Sequence, residues 1–285
     1  MFLGLRCPPF ALFFLTLHKF CAMASVRPKK SLGQHFLTDL SIADRIAATI
    51  NDRPDLPVVE VGPGTGVLTR CLLGNQRDLT VVELDSESVE YLRAGGVEGL
   101  ALERIIEADF LRLDLAELMG NRPFALIGNY PYNISSQIFF RVLDYRNLIQ
   151  ECSGMLQREV AERICAPEGS KTRGILSVLL QVWYDAEYLF TVSEHVFNPP
   201  PKVKSGVIRL RRNEVTDPGC DFALMRTVVK TTFGQRRKTI RNSARSLLPP
   251  SVPFPPDSPL GALRPEQLSV AQFVELTNLI DSLRR

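Results

Sequence analysis

Asn129-Tyr130-Pro131-Tyr132 places an amide, a proline and two aromatic rings within four residues. An exocyclic adenine amine is a poor nucleophile, because its lone pair is delocalised into the ring. An Asn side-chain carbonyl and a backbone carbonyl that accepted both N–H bonds would localise that pair, and Tyr132 could stack on the base. With an already activated leaving group such a site needs no strong general base, only positioning and in-line approach. The plain alternative is a turn, since Asn and Pro are turn residues and Tyr is often half-buried.

Two upstream features suit an adenosine-containing cofactor. Glu60-Val61-Gly62-Pro63-Gly64-Thr65-Gly66 reads as a strand running into a glycine turn that opens a helix. Gly62, Gly64 and Gly66 let the backbone approach a ligand and tighten the turn. The spacing is G-x-G-x-G, and no Gly-Lys-Ser/Thr follows, which excludes a phosphate-cradling P-loop. Glu83 ends the next strand, and a carboxylate there can accept two hydroxyl hydrogen bonds from a ribose. Asp109, after a third strand, is the candidate acceptor for the adenine amine. Asp85 and Asp114 read as solvated charges nearby.

The elements that would hold these residues alternate. Asp39 can cap a helix carrying Ile42, Ile46 and Ile50. Strands are expected at 57–61, 79–84, 104–107, 124–128, 154–157, 188–192 and 207–210, with helices at 67–73, 86–93, 134–143, 160–165 and 175–183. This pattern predicts an α/β fold with a parallel, doubly wound sheet. After Arg212 the texture changes. Asp217-Pro218-Gly219 marks a break, and 222–233, 240–248 and 270–283 look like amphipathic helices. Seven prolines between Pro249 and Pro265 exclude regular structure there. The expected division is 26–212 for the α/β domain and 217–285 for a helical domain.

The chain has 285 residues and a formal net charge of +3. That length is ample for a core, so a wholly disordered chain or a disulfide-dependent miniprotein is excluded. The small net charge hides an asymmetry: residues 31–150 carry 10 basic and 17 acidic groups, whereas 211–285 carry 12 and 7. Lys230, Arg236, Arg237, Lys238 and Arg241, with Arg226 and Arg245 beside them, form a run without an acid. Such runs are usually solvated faces; set in a small helical domain, phosphate contact is the better reading. Six cysteines without a C-x-x-C pair and only three histidines argue against a metal site and for free thiols in a reducing compartment. Residues 1–25 are read as a non-native or targeting extension. The apolar run at 8–17 is too short to span a bilayer, and a true start at Met23 is preferred.

In order along the chain, Ser31–Leu37, Glu60–Gly66, Val82–Asp85, Asn129–Ser135, Met155–Glu159, Phe197–Ser205 and Phe233–Asn242 resemble the small-subunit ribosomal RNA adenine N6,N6-dimethyltransferases of the KsgA type, over about 29–283. The resemblance implies a class I SAM-dependent methyltransferase with a Rossmann-like sheet, a small C-terminal α-helical domain and S-adenosylmethionine as methyl donor. It places His35, Leu37, Glu60, Gly62, Gly64, Gly66, Glu83, Asp109 and Asn129 at the cofactor. It puts Asn129 and Pro131 at the target amine, with Tyr132 and Phe197 sandwiching a flipped adenine. Plain core packing is the bland reading of Phe197, and a capped surface loop that of His35. Many members have Leu where this chain has Tyr130, which could alter the target pocket, and Asn where it has His35.

The implied activity is dimethylation of two adjacent adenosines near the 3′ end of 16S-type RNA in an assembling 30S-type subunit, by a cytoplasmic monomer with neither metal nor membrane. A resistance methyltransferase acting on large-subunit RNA, a non-catalytic assembly or transcription factor, and a nicotinamide dehydrogenase are weaker alternatives. The first is disfavoured by the long match through Phe197–Ser205 and the basic segment, the second by intact Glu83, Asp109, Asn129 and Tyr132, and the third by the glycine spacing.

Overall fold

The computed structural model describes residues 26–285; the extension expected at 1–25 lies outside the described residues. Among the described residues, nine strands form two sheets: β1 (Phe36–Leu37), β2 (Val58–Val61), β3 (Leu79–Glu83), β4 (Ile105–Glu107), β5 (Phe124–Asn129), β6 (Ile149–Gln157), β7 (Tyr184–Val192), β8 (Phe197–Asn198) and β9 (Ser205–Arg212). Seven of them make the main sheet, in the order β4-β3-β2-β5-β6-β9-β7, and β1 pairs with β8. Strands β2 and β3 are buried along their whole length, as strands covered by helices on both faces must be.

The first five strands of that order are parallel, as expected. Only β9 is reversed: it runs antiparallel to both β6 and β7, so β7 points the same way as the first five. Between β7 and β9 the chain forms one 3-10 turn and β8 but no helix. Without a crossover helix it cannot return in the parallel sense, so it folds back. The strand order reverses between β2 and β5, and ligands of open α/β sheets sit beyond the carboxyl ends of strands at such a point.

Helix α1 (Leu40–Ala47) starts where predicted, its Asp39 carboxylate accepting from the Ser41 and Ile42 amides at 2.9 and 3.4 Å. It packs against α2 (Val67–Gly74). Helix α3 (Ser86–Tyr91) follows β3, and α4 (Leu115–Leu118) is capped by Asp114, which is exposed as expected but bound to the Ala116 and Glu117 amides. Helix α5 (Ser135–Asp144) buries Ile138, Phe139, Val142 and Leu143 on the sheet. Helices α6 (Arg158–Ile164) and α7 (Ile175–Gln181) complete the layer.

One apolar cluster runs from this layer into the C-terminal helices α8 (Phe222–Gly234), α9 (Ile240–Ser243) and α10 (Val270–Arg284). Trp183 meets Phe222 edge-on at 5.2 Å, and Arg146 and Arg212 lie over the Trp183 ring at 4.6 and 5.1 Å. The helix expected at 240–248 ends early: α9 stops at Ser243 and a 3-10 turn covers Arg245–Leu247. The proline-rich stretch holds only 3-10 turns, at Pro259–Ala262 and Pro265–Gln267. No helix among the described residues is long and apolar enough to cross a membrane.

Tyr130 borders the cleft at the end of β5, but its side chain packs into the core. Its side chain is fully buried, edge-on to Phe139 at 5.7 Å, and its hydroxyl donates to the Ser153 carbonyl at 2.8 Å. Two glycines make the room: a Cβ on Gly154 would stand 2.7 Å from the Tyr130 ring and 2.3 Å from the Gly128 carbonyl oxygen, and one on Gly128 would stand 3.0 Å from the same ring. Gly154→Ala is therefore expected to destabilise the protein by roughly 2–4 kcal/mol through overpacking. Gly74→Ala, with open space around it, should cost nothing. Denaturant unfolding of the two variants checks this, and equal midpoints would refute the packing argument.

Candidate active site

The site is assembled from three segments that meet beyond the sheet's carboxyl edge. The first is the turn after β2. Gly62 and Gly64 have φ of 68° and 56°, conformations that L side chains rarely adopt. A Cβ on Gly64 would also stand 2.8 Å from the Phe36 ring. The second is the loop after β5, Asn129 to Asn133. The third is the segment that leads into α1. It is tied down by a Lys29 ion pair with Asp85, a second with Glu87 at 3.0 Å, and a bond from the Gln34 amide to Asp85 at 3.2 Å.

Asp85 is consequently not a solvated charge. It is almost completely buried, and it also accepts from Ser88 at 3.0 Å. Burial opposes its ionisation, but Lys29, Gln34 and Ser88 together hold its carboxyl below the usual range. The charge is spent on clamping the N-terminal segment.

These segments enclose a cleft whose open space, including its mouth, is about 830 Å³. Of the residues expected at a site, His35, Gly62, Gly64, Glu83, Asp109, Asn129, Pro131 and Tyr132 line it. Leu37, Glu60, Gly66 and Phe197 do not. Gly66 serves packing at the start of α2, since a Cβ there would stand 2.2 Å from Val97. Leu37 and Phe197 face each other in the β1–β8 ladder, both buried in the apolar cluster on that side of the sheet. Gln34, Phe36 and Asn133 line the cleft as well, although sequence reasoning passed them over. The available hint was that each sits inside a stretch already singled out.

Within the cleft, Glu83 accepts three backbone amides: Gly64 at 3.0 Å, Leu84 at 2.8 Å and Asp85 at 2.9 Å. Burial raises its pKa although all three bonds favour the anion. One oxygen takes two of them, which leaves the other with room for a further donor. Asp109 accepts from the Leu111 amide at 2.9 Å and lies 3.4 Å from the exposed Arg112. The Asn129 amide nitrogen donates to the His35 backbone carbonyl at 3.0 Å. That partner can only accept, so the bond fixes which end of the amide is which, and Oδ1 keeps no protein partner among the described residues. His35 in turn sets its Nδ1 2.8 Å from the Pro199 carbonyl, which requires the proton on that nitrogen. The His35 and Tyr132 rings stand 5.5 Å apart at 32°, and the Tyr132 hydroxyl is 2.5 Å from that of Ser205.

The basic run divides. Arg245 donates to the carbonyls of Pro249, Pro250 and Val252 at 3.0, 2.5 and 3.0 Å, and Arg241 to Pro256 at 2.8 Å. Arg226 pairs with Asp144 at 2.9 Å, Arg236 bonds the Lys171 carbonyl, and Lys230 lies 5.5 Å from the Phe140 ring. Arg237 and Lys238 are exposed at the turn between α8 and α9, with no side-chain bond to another described residue.

The family profile described as ribosomal RNA adenine dimethylase matches residues 26–281. The chain is 60% identical over 261 residues to a ribosomal RNA small subunit methyltransferase A of Phocaeicola vulgatus, covering 91% of this chain and 92% of that one. Its identity to a protein of the same name in Flavobacterium johnsoniae is 53% over 266 residues, covering 91% and 98%. Among solved structures, a dimethyladenosine transferase from Plasmodium falciparum superposes with a TM-score of 0.68 at 22% identity, covering 87% of this chain and 98% of that one. At that identity it shows the fold alone. The 23S rRNA methyltransferase ErmE gives 0.61 at 28% identity, covering 86% and 99%.

Glu60 carries a testable consequence. It lies buried in mid-β2, with Oε2 lacking a partner among the described residues. Burial, opposed by Thr69 and reinforced by the Glu83 charge, pushes its pKa up from 4.5 to about 8. The folded chain thus keeps a proton that the unfolded chain loses, so stability falls as pH rises from 4.5 to about 8 and then levels off. Glu60→Gln should relieve a penalty on the order of a few kcal/mol at pH 8 and little at pH 5. Denaturant unfolding at both pH values checks this; a stability difference from the parent that is the same at the two would rule it out.

Proposed function

The chain belongs to the ribosomal RNA adenine dimethylase family and is an S-adenosylmethionine-dependent ribosomal RNA methyltransferase, and we propose that its targets are two adjacent adenosines near the 3′ end of 16S-type small-subunit RNA. The observation that carries the reading is the Asn129 amide, fixed by His35 so that its oxygen remains to accept an amine hydrogen. The reading further includes action during small-subunit assembly, as a monomer in the cytoplasm, with residues 26–212 as the methyltransferase domain and 217–285 as the RNA-binding domain.

When bound, the donor supplies an electrophilic methyl group on a sulfonium centre. The protein's part is to position. Gly62 and Gly64 cradle the donor by close backbone approach, and the remaining capacity of Glu83 takes a ribose hydroxyl. Asp109 accepts from the adenine amine of the donor, and His35 borders it. Leu37, Glu60 and Gly66 support this site from behind. At the target, Asn129 Oδ1 and a backbone carbonyl of the Pro131 loop accept the two amine hydrogens and draw the lone pair towards nitrogen. The amine forms the new C–N bond in line with the bond that breaks, and then loses a proton. Tyr132 stacks on the base, while Phe197 stands opposite Leu37 in the β1–β8 ladder, buried in the core rather than lining the cleft.

The likeness to ErmE keeps large-subunit RNA as the second reading. The name shared by the relatives at 53–60% identity favours the small subunit. Purified protein and labelled S-adenosylmethionine should convert unmethylated small subunits, and not large subunits, to dimethyladenosine detectable by mass spectrometry of the digested RNA. Asn129→Ala should lose transfer by about 100-fold or more, in the range for removal of a preorganised electrostatic contact, while melting normally. Dimethyladenosine in large subunits alone would overturn the substrate; full activity of the variant would overturn the role of Asn129.

Arg237 and Lys238 are proposed as the principal phosphate contacts. Lys230, Arg236 and Arg241 lie beside them, each also engaged within the protein. Replacing both Arg237 and Lys238 by Ala should make the log–log salt dependence of RNA binding shallower by about 1.5–2, without changing affinity for S-adenosylmethionine. Arg245→Ala should instead lower the melting temperature, because it frees the proline-rich loop. A salt slope unchanged in the double variant would remove this surface from the interface.

A further inference from the structure

Tyr132 stands half-buried on a loop with its ring at the cleft, yet the far end of that ring is not free. Its hydroxyl lies 2.5 Å from the hydroxyl of Ser205, 73 residues along the chain. Ser205 is fully buried at the first position of β9. It stands in register with Gln157 on one side and Val192 on the other, so its backbone is held by two neighbouring strands. A buried hydroxyl needs a partner, and Ser205 finds one in Tyr132. An aromatic side chain on a loop can otherwise turn about its first two torsions, and its second is broad. Here a rigid strand holds the para position, and the His35 ring, itself bonded to the Pro199 carbonyl, limits rotation from another direction.

We propose that Ser205 is a positioning residue for methyl transfer: through the Tyr132 hydroxyl it fixes the plane against which the target adenine rests. The proposal rests on the reading that Tyr132 stacks on that base. Its chemical consequence concerns the second transfer most. A monomethylated amine has one hydrogen fewer for the Asn129 loop to accept and a methyl group to accommodate, so fewer contacts remain to align its lone pair. The attitude of the base then depends more heavily on the ring plane.

The experiment compares Ser205→Ala, Tyr132→Phe, their combination, Ser205→Thr and Tyr132→Ala on unmethylated small subunits. Rate, KM for RNA, the ratio of monomethyl to dimethyl product, and affinity for S-adenosylmethionine by calorimetry are measured for each. Ser205→Ala and Tyr132→Phe should each lower kcat by about fivefold to tenfold, the worth of one hydrogen bond. Both should raise the monomethyl fraction and leave donor affinity and KM unchanged. The combination should be no worse than either single change, because both remove the same bond. Ser205→Thr, which keeps a hydroxyl, should restore part of the rate. Additive losses, or a parallel loss of donor affinity, would overturn the proposal. If Ser205→Ala does not fold, Tyr132→Phe removes the same bond without touching the strand and decides the matter. If Tyr132→Ala is inactive while Ser205→Ala and Tyr132→Phe behave as the parent, stacking stands and the tether is wrong. If Tyr132→Ala is fully active, the stacking reading itself fails and the tether falls with it.

Discussion

The bond from the Asn129 amide to the His35 carbonyl is the constraint around which the site is organised. A carboxamide is a donor at one end and an acceptor at the other. Committing the donor end to a carbonyl leaves the acceptor end with a defined direction. A freely rotating asparagine would present either end to an incoming amine, and half of those encounters would set donor against donor. For the bond to select, His35 must be as well placed as Asn129. The segment carrying His35 is accordingly fastened along its length, by Lys29 and Gln34 on Asp85 and by pairing of β1 with β8. Asp85 thus holds the segment that carries His35 although it does not line the cleft.

Asn129 depends equally on what lies beneath it. Apart from the Tyr132 hydroxyl contact with Ser205, the loop after β5 is joined to the sheet by one backbone bond, from the Tyr130 amide to the Met155 carbonyl. What anchors it is a buried side chain, since Tyr130 drives its ring between the sheet and α5 and bonds the Ser153 carbonyl. A tyrosine has a volume that this space would not hold if β5 and β6 carried side chains at Gly128 and Gly154. The bulk of Tyr130 and the two missing side chains are one packing solution. The bulk of Tyr130, expected to alter the cleft, is thus taken up by the core beneath the loop.

What the sequence revealed was whatever local pattern encodes. The strands β2 to β5, the cap at Asp39 and the glycine turn were legible because their causes lie within a few residues; the cap at Asp114 was not, because that residue read as a solvated charge. The cleft residues were legible where they fell in motifs of that kind. The errors share a different cause. The antiparallel return of β9 follows from the lack of a helix between β7 and β9, which shows only once those strands are known to be neighbours. Asp85 looked like a surface charge because its partner lies 56 residues away. Phe197 opens a stretch that matches the family, but it stands opposite Leu37 in a ladder that no periodicity predicts. Local chemistry names candidates; long-range pairing decides which way they point.

The basic run makes the same point quantitatively. Counted along the sequence, Arg226 to Arg245 is a set of equivalent cations. In the structure each has a different commitment. A hydrogen bond to a charged group contributes roughly 1.5–3 kcal/mol where it is shielded from solvent, less at an exposed side chain, and several to one guanidinium fix its direction. The three carbonyls on Arg245 therefore hold it against the proline-rich loop rather than release it to a ligand. Proline supplies no amide hydrogen, so Pro249 and Pro250 break the backbone bonding that would otherwise brace the loop, and a guanidinium with five donors replaces it. The prolines and the arginine that follows α9 are thus a structural unit. Within this run, the charge left unengaged is concentrated at the turn between α8 and α9, where the Arg237 and Lys238 side chains have no carbonyl partner among the described residues.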